Sequence, residues 1–236
     1  MSKYLFYFIF LLILLLSYGC GDSSGNEESQ SLPPSSTDTD TTADDIYNKS
    51  NGDNHGSTGK MDYNGYTYNV IRIDDRWWTA ENLRTTSYND GSPIPKWTSG
   101  SGPSTHAYSD SQNTIKYGYL YNEYASYSDK IAPIGWHVAT TYDWSALQRD
   151  VDPSNGGGNC APCREKLLDE EQGGSNDVGF SALLGGYRNE SGNQSTTWTV
   201  FTSKYEGRRA WIIKSSDVQE AVFSETVGMF IRLVQD

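Results

Sequence analysis

The stretch Tyr66-Thr-Tyr-Asn-Val-Ile-Arg-Ile-Asp-Asp-Arg-Trp-Trp-Thr-Ala80 sets Tyr66, Tyr68, Val70 and Arg72 in alternation with Thr67, Asn69, Ile71 and Ile73, then breaks at Asp74-Asp75 before a second apolar run. Side chains of a strand point alternately to opposite faces, so this pattern with a two-residue break predicts a β-hairpin. The segment that follows, Glu81 to Pro95, ends in Tyr88-Asn-Asp-Gly-Ser-Pro-Ile-Pro95. Its Asp-Gly and two prolines exclude a helix, and an ordered loop or short edge strand is expected. Farther on, Thr140 or Thr141 can cap a helix over Thr141 to Val151. Asp143 would lie in its first turn and Trp144, Leu147 and Val151 on one face, with Asp152-Pro153 as the stop. Tyr117 to Tyr127 fits a helical and a strand period equally, and Cys163 to Glu171 reads as a second short helix. Strand-like runs close the chain at Trp198 to Thr202, Ala210 to Lys214, Ala221 to Phe223 and Met229 to Val234. Strands, then helices, then strands, joined by Gly-rich loops, predict an α+β domain.

Five ordered blocks carry a resemblance. Ile71-Arg-Ile-Asp-Asp-Arg-Trp-Trp-Thr-Ala-Glu-Asn-Leu83, Tyr88 to Pro95, Tyr117-Gly-Tyr-Leu-Tyr-Asn122, Pro133-Ile-Gly-Trp-His-Val138 with Asp143-Trp144, and Gly179-Phe-Ser-Ala-Leu-Leu-Gly-Gly-Tyr-Arg-Asn189 resemble the Fibrobacter succinogenes major paralogous domain family, whose members are often lipoproteins. The family commonly has cysteine at the place of Ala132, proline at that of Ala139 and glutamate at that of Asp143, which marks this chain as divergent. The Trp136 to Trp144 string and Gly185-Gly186-Tyr187-Arg188 are also similar to parts of formylglycine-generating sulfatase-modifying domains. That resemblance implies a single C-type-lectin-like domain, a scaffold that brings no activity with it.

The start of the chain says where the protein works. Lys3 precedes an unbroken apolar run, Tyr4 to Leu16, followed by Ser17-Tyr18-Gly19-Cys20. The run is shorter than the roughly 20 residues that span a bilayer, and with its basic leader and small residues before a cut it reads as a cleaved signal. Residues 1–19 are thus expected to be a lipoprotein signal peptide and Cys20 the lipidated first residue. Ser17 departs from the leucine usual three places before the cysteine. Residues 20–60 then form an acidic tether of Ser, Thr, Asp, Asn, Gly and Pro that cannot bury enough surface to fold. Forty such residues reach roughly 35 Å. Within the tether, Asp40-Thr41-Thr42 resembles a short bacterial O-glycosylation acceptor. The folded domain is expected over 61–236.

The formal net charge is −12, and residues 61–236 carry 22 acidic against 15 basic side chains. Nucleic acid is therefore excluded as a partner, and the membrane is met through the lipid rather than through charge. Cys160-Ala-Pro-Cys163 follows a glycine run without the strand–helix setting of a thioredoxin motif, and no histidine spacing completes a zinc site. A local disulfide between Cys160 and Cys163 is the favoured reading; unpaired thiols and a redox or metal pair stay open. Asp150-Val-Asp152-Pro-Ser-Asn-Gly156 has calcium-like alternation near Asp150 and Asp152, but its glycine arrives one residue late and no acid closes the loop at Ala161. No resident cofactor or metal is expected. His137 lies between Trp136 and Val138 without a recognisable partner and reads as structural, while Glu81 and Asn82 are candidate polar anchors under the fold.

Seven tryptophans and 17 tyrosines exceed what a core needs. Trp78, Trp136 and Trp144 fall in the family blocks and read as core. Trp97 and Trp198, in polar loop contexts, are the candidate exposed ligand-binding residues, since aromatic faces stack on sugars and anchor interfaces. No catalytic set emerges, and an enzyme is not expected. The favoured function is a cell-envelope lipoprotein, at the outer membrane, presenting a binding domain for glycan or envelope protein. A structural or envelope-assembly lipoprotein is the alternative.

Overall fold

In the computed structural model, which describes residues 56–98, 102–106, 111–155, 158–192, 194–204 and 208–236, the opening stretch is the hairpin its alternation predicts. Strand β2 (Tyr66–Ile73) pairs antiparallel with β3 (Arg76–Thr79), Ile73 facing Arg76 across the Asp74-Asp75 turn. A third strand, β1 (Thr58–Tyr63), extends the sheet through Asn64-Gly65. Both turn residues have positive φ, 49° and 78°, as a two-residue turn matched to strand twist requires. The ladder starts at Thr58, so residues 58–60 of the expected tether are part of the folded unit. The expected signal peptide, Cys20, most of the tether and Asp40-Thr41-Thr42 lie outside the described residues.

The next elements are short. Strand β4 (Thr105–His106) pairs with β5 (Leu120–Tyr121), and between them runs helix α1 (Ser111–Tyr117). Tyr117 to Tyr127, ambiguous in sequence, divides into β5 and a single-turn helix α2 (Glu123–Ser126) capped by the Asn122 side chain. Glu81 to Pro95 is an ordered loop pinched by a bridge between Ser87 and Pro93. Strand β6 (Trp136–Val138) leads into α3, which covers Thr141–Val151 as its capping signal predicts, with a reciprocal Thr140–Asp143 capping box. Helix α4, expected over Cys163 to Glu171, spans Ala161–Leu167: it starts two residues earlier, because Cys160 caps it and Pro162 fits its first turn, and ends four residues earlier. A 3-10 turn follows over Glu170–Gln172.

The C-terminal half builds a hairpin of β7 (Tyr187–Arg188) and β8 (Gln194–Ser195), then β9 (Thr199–Thr202), β10 (Arg209–Ile213) and β11 (Val218–Val222). β11 begins before the expected Ala221 because pairing with β10 sets its limits, and as an edge strand it can carry Gln219 and Glu220. The run Met229 to Val234 is not one strand. Met229 and Phe230 bridge to Tyr121 and Phe201, whereas β12 (Leu233–Gln235) crosses into the first sheet. The larger sheet has the order β1-β2-β3-β12-β6 and the smaller β11-β10-β9. This is an α+β domain, and all the described residues fall in one compact unit. Among them no helix is long and apolar enough to cross a membrane.

Both faces of the larger sheet are covered. Tyr68 and Val70 join Met61, Leu83, Tyr121, Ile131 and Leu233 on one side. Ile71, Ile73 and Trp78 join Trp144, Leu147, Phe180, Phe201 and Trp211 on the other. Trp144 is the hub of that second cluster, its ring centroid 5.2 Å from Trp78, 5.3 Å from Phe201 and 5.8 Å from Phe180.

Candidate functional site

Where the chain leaves β3, Ala80 to Arg84 crosses the end of the sheet and every polar side chain on it is engaged. Glu81 Oε1 accepts from the backbone and side-chain nitrogens of Asn69 at 2.9 and 2.7 Å, and Oε2 accepts from Arg84 Nη2 at 2.6 Å. Asn82 donates to the Tyr117 carbonyl at 2.8 Å, tying α1 to this segment. The close fit depends on Gly118 with φ +86°, where a Cβ would lie 2.9 Å from that of Asn82. Glu81 and Asn82 are thus polar anchors, as the sequence suggested.

The centre of the arrangement is Arg232, which is 1 % exposed. Its Nε donates to Asn82 Oδ1 at 2.7 Å, Nη1 to the carbonyls of Thr79 and Phe180 at 2.7 and 2.9 Å, and Nη2 to that of Ser181 at 3.1 Å. The guanidinium also stacks 4.3 Å from the Phe180 ring centroid. Among the described residues it has no carboxylate within ion-pair distance. Burial accordingly pulls its pKa down to about 9, opposed by the field of Glu81, and it remains charged at neutral pH.

Arg232, Glu81, Asn82 and Arg84 line a pocket of about 130 Å³, closed by Ile115 and Lys116 of α1 and by Asp169 and Ser181. Arg84 lies over the rings of Tyr66 and Tyr68 at 5.4 and 5.5 Å, and its Nε is buried without a hydrogen-bond partner among the described residues. Ile115 is exposed at the wall. Sequence reasoning singled out Glu81 and Asn82 but missed Arg84, Lys116, Asp169 and Arg232. For Arg232 a signal existed: it is the one charged residue within the apolar run Val227 to Val234.

His137 has partners that no sequence motif announced. Its Nδ1 lies 2.6 Å from Asp236 Oδ1 and its Nε2 3.1 Å from Asp143 Oδ2, the carboxylate that also receives the Thr140 amide in the helix cap. The bond to Asp143, with that to Asp236, holds the histidine above its ordinary 6.5 against the effect of burial. Burial works to raise Asp143, but its hydrogen bonds from His137 and Thr140 hold it below its ordinary value. With both ring nitrogens bound, His137 fastens β6 to α3 and to the chain end. A raised histidine stabilises the fold fully below its unfolded value near 6.5 and loses that contribution as pH rises through the higher folded value. The denaturation midpoint should therefore fall from about pH 6 to about pH 8, and His137→Gln should flatten that slope; an unchanged slope in the variant would remove His137 as its cause.

The remaining sequence candidates lie elsewhere. Trp97 and Trp198, expected as exposed loop residues, are half-buried. Trp97 packs under the Arg188 guanidinium at 4.7 Å and against Gly192. Trp198 meets the Tyr187 ring at 5.8 Å, donates to Ser195 Oγ at 3.3 Å and carries the Lys214 ammonium over its face. Tyr187 and Arg188 are consecutive in β7, so the two indoles cover opposite faces of the β7–β8 hairpin and form no common platform. Gly186 makes that packing possible, since a Cβ there would overlap the Ser195 carbonyl. Cys160 and Cys163 are joined as a buried disulfide at the start of α4, with Cα atoms 5.3 Å apart. Asp152 accepts from the amide and hydroxyl of Ser154, and Asp150 is raised above its ordinary value by burial and by Asp74. Among the described residues no three His, Cys, Asp or Glu side chains converge on a metal position.

No curated protein and no solved structure matches the chain. The Fibrobacter succinogenes major domain matches residues 71–235, from within β2 to the end of β12. That span contains the whole pocket wall, His137 with Asp143, and the disulfide, and the chain belongs to the Fibrobacter succinogenes major domain family.

Proposed function

We propose that this protein is a cell-envelope lipoprotein, held in the outer membrane by lipid on Cys20, that presents a non-catalytic binding domain for glycan or envelope protein. The observation that carries the reading is the pocket around Arg232, a concave site in which charged and polar groups converge beside the exposed Ile115. A binding role suits it better than catalysis: the histidine nearest to a catalytic setting, His137, has both nitrogens engaged by carboxylates. We read the core as C-type-lectin-like, in keeping with two antiparallel sheets, α3 packed on the larger one, and long Gly-bearing loops.

The anchor is tested first. Cys20→Ser should move the protein from the membrane pellet to the soluble fraction and abolish metabolic labelling with palmitate, because stable attachment needs the acyl chains. Retention of the variant in the pellet would overturn the lipid anchor. The binding role is tested by a glycan array and by envelope pull-down with the full chain in detergent; silence in both would overturn it.

A further inference from the structure

We propose that the pocket walled by Glu81, Arg84, Lys116, Asp169 and Arg232 is a carboxylate subsite that takes the acid group of an acidic sugar residue. The proposal deepens the binding-domain reading and rests on it. Hydrogen-bond capacity left over in the pocket lies mainly on the donor side. A guanidinium has five N–H donors, and the four contacts of Arg232 occupy Nε, both hydrogens of Nη1 and one of Nη2. Arg84 gives Nη2 to Glu81 and Nη1 to the Ile115 carbonyl at a long 3.5 Å, and leaves Nε–H buried without an acceptor among the described residues. Lys116 has its nearest carboxylate, Glu171, at 3.5 Å, a loose contact on the exposed side of α1.

On the acceptor side, Glu81 already accepts three hydrogen bonds, two from Asn69 and one from Arg84. With Glu81 matched to Arg84, the wall keeps Arg232 and the loosely paired Lys116 against Asp169, in a domain that is acidic as a whole. A planar carboxylate answers the remaining guanidinium and ammonium better than a neutral hydroxyl does, since bonds between ionised groups are roughly twice as strong. An anion would also compensate Arg232, which has only neutral acceptors around it.

Asp169 decides between kinds of carboxylate. Its Oδ1 caps the 3-10 turn through the Glu171 amide at 2.9 Å, and among the described residues no cation pairs with it. A ligand filling this pocket must therefore bring a donor as well as an acid group. A sugar acid does so, carrying free hydroxyls on the same ring as its carboxylate, and its apolar ring edge can lie on Ile115 at the wall.

The test is calorimetric titration of the full chain in detergent with trigalacturonate, its methyl ester, a neutral galactose trisaccharide and a short peptide with a free terminal carboxylate. Trigalacturonate should bind, the ester and the neutral sugar should bind at least about tenfold more weakly, and Arg84→Met and Lys116→Gln should each weaken the acid sugar by about tenfold. Thermal melting of both variants separates lost contacts from lost folding, and Lys116, exposed and loosely paired, keeps the test decisive if Arg84→Met unfolds. Equal binding of ester and acid would overturn the subsite while leaving a glycan-binding domain standing. Preference for the peptide would overturn the sugar class, and binding of trigalacturonate unaffected by either folded variant would move the site elsewhere. No binding of any probe overturns the subsite, and the glycan array then decides whether the domain binds glycans at all.

Discussion

Arg232→Met is expected to cost about 3–5 kcal/mol of folding stability, enough to unfold much of the protein at physiological temperature. The substitution preserves an apolar stem of similar length, so little packing is lost. What is lost is the donor set: the carbonyls of Thr79, Phe180 and Ser181 and the Asn82 amide oxygen would be left facing a thioether. Buried carbonyls of the main chain cannot be mutated away, so the compensation that sometimes makes replacement of buried charge neutral is not open here. Arg232→Lys should recover only part of the loss, because one ammonium cannot reach four acceptors in a fixed fork. Urea denaturation of the three proteins measures this directly. A loss below about 1 kcal/mol for the methionine variant would show that water reaches these carbonyls and that Arg232 does not hold the strand crossing together.

Trp144→Ala should be about as severe, again about 3–5 kcal/mol, for a different reason. The indole is 2 % exposed and contacts Trp78, Phe180, Phe201 and Trp211, so its removal opens a cavity bounded by four rings, three of them held on strands of the two sheets. Rings from two sheets cannot both move in to fill the space. Trp97→Ala and Trp198→Ala provide the contrast, at about 0.5–2 kcal/mol each, since both are half-buried, Trp97 beside Arg188 and Gly192, and Trp198 with one edge-to-face pair, one ammonium and one hydrogen bond to Ser195. Melting temperatures should order Trp144→Ala well below both. If Trp97→Ala fell as far as Trp144→Ala, the β7–β8 hairpin would have to count as core.

Much of the fold was legible wherever one strong local rule acted without opposition. Alternation around Asp74-Asp75 predicted the β2–β3 hairpin, and a cap at Thr140 or Thr141 with the Asp152-Pro153 stop predicted both ends of α3, whose cap is Thr140. α1 escaped because Ser-Gln-Asn-Thr-Ile-Lys-Tyr buries no residue and has no apolar period to read. β1 escaped because Thr58 to Lys60 look like the polar tether before them, and only pairing with Asn69 to Ile71 makes them a strand. The pocket was half legible. Glu81 and Asn82 stood out as polar residues directly after an apolar strand, but their partners come from α1, the Asp169 turn and Arg232, far apart in sequence and joined by no motif. The indoles misled for a related reason: polar neighbours at Trp97 and Trp198 said loop, and the loops fold back so that Arg188 and Tyr187 cover the rings.

The position of β12 carries a kinetic consequence. Its three residues lie between β3 and β6 in the middle of the larger sheet, with Val234 opposite both Trp78 and His137. Until Leu233 to Gln235 have left the ribosome, β6 has no strand beside it and the first hairpin exposes an open edge. Closing the larger sheet therefore needs contacts between strands far apart in sequence, a high contact order that favours slow folding.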